Sequence, residues 1–105
     1  MALRVRVCRV DEIEPDKLRG FAVEHATWPI MVTRLDDELV AFPGVCPHED
    51  VSLVDYGVRE DAELRCRVHG YRFDLRTGTC EHDPRLHLRR YRVTVVGDDL
   101  YVDLL

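Results

Sequence analysis

The sequence predicts an all-β fold, an antiparallel sandwich or barrel that carries a small inserted subdomain, and three observations predict it. Apolar and polar residues alternate with period two along much of the chain, as in strands that bury one face. Gly, Pro and Asp separate these runs at turn positions. Between residues 44 and 84 the alternation gives way to short apolar runs broken by Pro, Gly and charge, so strands flank an irregular segment.

The first strand is expected in LRVRVCRV (3–10), with Leu3, Val5 and Val7 on one face and Arg4, Arg6, Cys8 and Val10 on the other; Arg9 breaks the pattern. EIEPDKLRG reads as a loop, with Pro15 and Gly20 as breakers. FAVEHA (21–26), PIMVTRL (29–35) and ELVAFP (38–43) read as three strands, the last two joined by a turn at Asp36 and Asp37. HLRRYRVTVV (87–96), the turn GDD (97–99) and LYVDL (100–104) read as a closing hairpin. The irregular segment shows no convincing amphipathic helix, at most a helical turn after Glu49. The expected division is a basal β domain at 1–42 and 85–105 and an inserted subdomain at 43–84. Trp28 is expected in the core, and His25 on a surface or strand.

A chain of 105 residues fits one domain, and 46% hydrophobic residues supply a small core that a metal site would help to staple. The 20 acidic residues outnumber the 15 basic ones, for a net charge of -5. Such a surface disfavours nucleic acid and anionic membranes and suits a basic protein partner. MALRVRVCRV alternates instead of forming a continuous apolar run, so neither a signal peptide nor a membrane span is expected, and the cytoplasm is the expected location. There the four cysteines are expected as thiols, not disulfides.

Chemistry concentrates in two boxes, CPHED at 46–50 and RCRVHGYRF at 65–73. They place Cys46 beside His48 and Cys66 beside His69, in the pattern C-x-H then C-x-x-H. A mononuclear zinc site usually pairs two cysteines or two histidines within each half. The short C-x-H bite is awkward for one tetrahedral ion. It suits a binuclear cluster in which each loop gives its cysteine to one iron and its histidine to the other. Pro47 would shape the bend between the first two ligands. Cys8 and Cys80 have no histidine in such a box and read as small, partly buried side chains.

CPH and CRVHG resemble the two ligand boxes of the Rieske-type 2Fe-2S proteins. The similarity continues through YRFDLRTGTCEHDPRLHLRRYRVTVVGDDLYVDL and covers the chain from about Phe42 to Leu104. The resemblance implies a Rieske-like sandwich or barrel and one [2Fe-2S] cluster per chain. In it Cys46 and Cys66 would bind one iron as thiolates, and His48 and His69 the other through Nδ1. It also implies that Pro84 belongs to a third loop over the cluster and that the amide of Gly70 approaches the sulfides. His82 and His87 are surplus to the ligand set. High-potential relatives join the two loops by a disulfide and place a serine and a tyrosine two and four residues after the second histidine. Here Asp50 and Val68 stand in the region of that disulfide, and Tyr71 and Phe73 at the hydroxyl positions. The implied potential is therefore near the low end of the Rieske range, about -150 mV.

The function this implies is that of a monomeric, non-catalytic ferredoxin. It would carry single electrons from a flavin-dependent, NAD(P)H-fed ferredoxin reductase to a terminal oxygenase, an aromatic-ring dioxygenase or a diiron monooxygenase. The length leaves no room for a substrate pocket or nucleotide fold. Two alternatives stand: the small Rieske subunit of a nitrite reductase or other oxidoreductase, and a zinc-stabilised interaction module. The EDVSLVDYGVREDAE run (49–63) reads as solvated loop whose carboxylates would steer a basic partner.

Overall fold

The computed structural model describes residues 3–104, so the outermost residues of the expected basal domain, Met1, Ala2 and Leu105, lie outside the described residues. Among the described residues, nine strands form three antiparallel three-stranded sheets. β1 (Arg4–Arg9), β9 (Asp99–Asp103) and β8 (Arg92–Val96) make the first, in the order β1-β9-β8. β2 (Leu18–Phe21), β3 (Ile30–Leu35) and β4 (Glu38–Pro43) make the second. β5 (Gly57–Glu60), β6 (Glu63–Cys66) and β7 (Tyr71–Asp74) make the third. A 3-10 turn spans Val10–Glu12 and one short helix, α1, spans Leu53–Tyr56.

The β2-β3-β4 sheet is covered on both faces, which its near-continuous apolar sequence requires. Met31, Leu35, Val40 and Phe42 point to a core that includes Leu53, Leu64, Phe73, Leu75, Leu88 and three cysteines. Ile30, Val32 and Ala41, one residue out of phase, point to the other face and pack with Val7, Ile13, Leu100 and Val102. Side chains in a strand alternate between faces, so each register position is assigned to one core or the other. Burying a residue such as Phe42 or Leu100 contributes about 1.5–3 kcal/mol. Arg59 of β5 ties the third sheet to the second: its side chain is only 6% exposed and its guanidinium donates to Thr33 Oγ1 at 2.8 Å, Arg34 O at 2.5 Å and Asp61 O at 2.8 Å.

Several expectations are corrected. The second strand is Leu18–Phe21, not 21–26: Gly20 pairs with Met31 inside the ladder, and the chain turns at His25, whose φ is 70°. Gly20 is needed there because a Cβ would lie 2.8 Å from Val54 of α1. In β1 a bulge between Arg6 and Cys8 turns both Val7 and Cys8 inward, which explains the imperfect alternation. The eighth strand begins at Arg92, not at His87. The segment read as irregular holds α1 and the whole third sheet, and the run read as solvated loop contains α1 and β5. Trp28 is half-buried in a bend and belongs to neither core. No helix among the described residues is long and apolar enough to cross a membrane.

Candidate metal centre

The first box lies on a loop between β4 and α1 that the backbone closes on itself. Cys46 N–H donates to Val51 O at 3.0 Å, and Leu53 N–H to Gly44 O at 2.9 Å. Val45 and Ser52 form an antiparallel bridge. Gly44 is fixed by close packing, since a Cβ there would lie 2.7 Å from Pro29 O. Ser52 caps α1 by accepting from Val54 N–H at 3.2 Å. The second box is the connection between β6 and β7. Cys66 is the last residue of β6, opposite Tyr71 at the start of β7. Gly70 N–H donates to Cys66 O at 2.8 Å, and its φ of 76° is the left-handed conformation that glycine adopts without strain.

These loops bring the four box residues together, cysteines inside and histidines outside. Cys46 and Cys66 are each 2% exposed and belong to one core. Burial pushes the Cys46 thiol up from its ordinary range; the backbone N–H groups of Glu49 and His48 oppose this, and the neighbouring Cys66 adds to it. The His48 and His69 rings meet edge to face, 4.9 Å apart at 87°. His48 is half-buried and His69 exposed. One ligand atom each of His48, Glu49 and His69 lies within 4.8 Å of the others, and Glu49 Oε2 is 3.8 Å from His69 Nδ1.

All four cysteines are free, and Asp50 and Val68 are exposed. Cys8 lies in the core of the first sheet, and Cys80 is bridged to Phe73 in the core that also holds Cys46 and Cys66. His82 reaches the centre's rim through Tyr71, whereas His87 pairs with Thr79 further along the chain. The 80–86 segment borders the histidines. Asp83 there accepts from Arg85 three times, at 2.9, 3.0 and 2.9 Å. That pairing, helped by the nearby His48, holds the Asp83 carboxyl at about 2. Sequence reasoning passed over Asp83; its signal was the Asp-Pro turn in EHDPRL.

Two neighbouring buried thiols and two adjacent imidazoles, on two braced loops, could supply the donor set of a mixed Cys/His iron–sulfur centre. A model of the Rieske [2Fe-2S] domain matches residues 4–95. The chain belongs to this Rieske family. It is 33% identical, over 99% of its length and 94% of the relative's, to the ferredoxin component of biphenyl 2,3-dioxygenase from Rhodococcus jostii. It is 30% identical, over 89% of its length and 75% of the relative's, to the ferredoxin component of the alkene monooxygenase system of Xanthobacter autotrophicus. A solved complex of reduced oxygenase and oxidised ferredoxin in carbazole 1,9a-dioxygenase contains a chain that superposes with TM-score 0.80. That match has 27% identity and covers 95% of this chain and 92% of the other. In this Rieske chain the thiol pair lies on the buried side of the site and the imidazole pair on the side toward solvent.

Proposed function

We propose that this chain is a Rieske ferredoxin in which Cys46 and Cys66 hold one iron and His48 and His69 the other. The observation that carries the reading is the division of the donor set, thiols buried and imidazoles at the surface. The cluster, when bound, supplies one-electron chemistry at a potential raised above all-cysteine ferredoxins by its neutral imidazole ligands. The protein's own residues supply the rest. The amides of His48 and Glu49 donate toward Cys46 sulfur and stabilise it as a thiolate. Phe73 and Leu64, both fully buried, keep water from the cysteine side. Glu49 Oε2 lies 3.8 Å from His69 Nδ1, the nitrogen that would bind iron, so the Glu49 carboxylate would have to leave that nitrogen free for the cluster.

The chain receives electrons from an NAD(P)H-fed flavoprotein reductase and delivers them to a terminal aromatic-ring dioxygenase or diiron monooxygenase in the cytoplasm. The ferredoxin components among its relatives support that placement. The division into a basal domain and an inserted subdomain at 43–84 belongs to the same proposal, with the shared β2-β3-β4 sheet as the boundary layer. The test is direct. Purified protein should be red-brown and give a mixed-valence EPR signal after dithionite. It should titrate near -150 mV, with no dependence on pH from 6 to 8. Colourless protein with stoichiometric zinc would refute the reading.

A further inference from the structure

Tyr71 occupies a place that the ligand set does not explain. Its ring lies flat on the imidazole of His48, 3.9 Å between centroids with the planes 23° apart. His69 abuts the same imidazole with an edge-to-face contact at 4.9 Å. On its far side Tyr71 meets His82 at 5.4 Å, tilted by 40°. His48 is thus held on a face and at an edge, and both holders belong to the β6–β7 hairpin, while His48 itself is on the first loop. Tyr71 is opposite Cys66 in the ladder, so the backbone that carries its ring is fixed by that hairpin.

A half-buried imidazole on a loop would otherwise be free to rotate about its side-chain torsions and would meet water on both faces. A flat aromatic neighbour removes one face from solvent and restricts the ring plane. Accepting an electron adds one negative charge to the centre. Excluding water there lowers the dielectric and disfavours the charged, reduced form. Solvent exposure is one of the properties that sets the potential of an iron–sulfur centre.

We propose that Tyr71 is a positioning residue for His48: its ring fixes the imidazole plane, keeps water from one face, and so holds the potential of the centre down. This rests on His48 being an iron ligand. The ring does this and the hydroxyl does not, which separates Tyr71 from a hydrogen-bond donor to the sulfurs.

The experiment uses the loaded full chain and compares wild type with Tyr71→Phe, Tyr71→Ala and His82→Ala by redox titration, by EPR of the reduced state and by the rate of bleaching. Tyr71→Phe should match wild type in all three. Tyr71→Ala should raise the potential, shift the EPR g values and bleach severalfold faster. His82→Ala, which removes only the outer neighbour, should leave potential and g values in place. Should Tyr71→Ala fail to fold, Tyr71→Val, which suits a strand but has no ring, is expected to give the same upward shift. A Rieske signal in wild type with unchanged potential and g values in the ring-less variant would overturn the role of Tyr71 alone. So would a shift in His82→Ala as large as that in Tyr71→Ala. Wild type without a Rieske signal would overturn the ligand assignment, and the proposal with it.

Discussion

On one face of the β2-β3-β4 sheet, Ile30, Val32 and Ala41 close against Leu100 and Val102, and the one thiol in that core is Cys8. On the other, Met31, Val40 and Phe42 close against Leu64, Phe73 and Leu75, with Cys46, Cys66 and Cys80 among them. The first core is closed by apolar side chains and the single Cys8 thiol, all supplied by the chain itself. The second runs out, at its open end, into two buried thiols and two histidines, the residues proposed to hold the cluster. The lesson is that one sheet can serve a self-sufficient core and a ligand-dependent one, because successive residues of β3 and β4 face opposite ways. Stability and function are therefore separable by side of the sheet, and substitutions on each side should fail differently.

The largest effect is expected at the ligand-dependent end. Cys66→Ser should abolish the visible absorption and iron content and lower the melting temperature, because metal binding in such a site is coupled to folding. Cys80→Ser, in the same core, should keep the colour. Colour loss in the second variant, measured as iron per chain, would show that the ligand set has been misassigned. Across the sheet, Leu100→Ala should cost about 2–5 kcal/mol in denaturant unfolding and leave the potential where it was. A changed potential in Leu100→Ala would mean that the two cores are not independent.

How much of this was legible differs between the same two regions. The hairpins β3–β4 and β8–β9 were readable because their strands are long enough for alternation to repeat and their turns carry Asp36, Asp37 and Gly97. The four box residues stood out because Cys and His at such short spacing are an uncommon pairing, and the structure brings them together. The third sheet was not readable, since its strands are four residues each and bear Glu60, Glu63, Arg65 and Arg72 on partly exposed positions, with the charged Arg59 side chain turned inward. With so few buried residues per strand, the period-two signal has nothing to repeat. The stacking of Tyr71 on His48 was also invisible, because it joins the start of β7 to the first loop, which meet only through tertiary packing.

Arg59 is where the comparison can be sharpened, as its guanidinium bridges the third sheet to β3. Removing it leaves Thr33 Oγ1, itself donating to Lys17 O at 2.6 Å, without the guanidinium donor. Arg59→Ala should cost about 1–3 kcal/mol. Hydrogen exchange should show the loss concentrated in residues 57–74, with β8 and β9 protected as before; uniform loss would mean that the sheets unfold as one unit.

The smallest expected effect tests the self-sufficient core through its thiol. Burial first, and then the carboxylate of Glu12, push the Cys8 thiol from 9.0 to about 11. The folded chain thus keeps its proton where an unfolded chain has released it. The stabilising contribution is complete below pH 9 and is lost as pH rises from there through about 11. Other titrating groups cancel when wild type is compared with Cys8→Ala by urea unfolding. The stability difference between the two should be flat from pH 7 to 9 and then turn progressively against wild type. A difference that stays flat to pH 11 would mean that Cys8 ionises freely within the fold, and that this core is wetter than its packing implies.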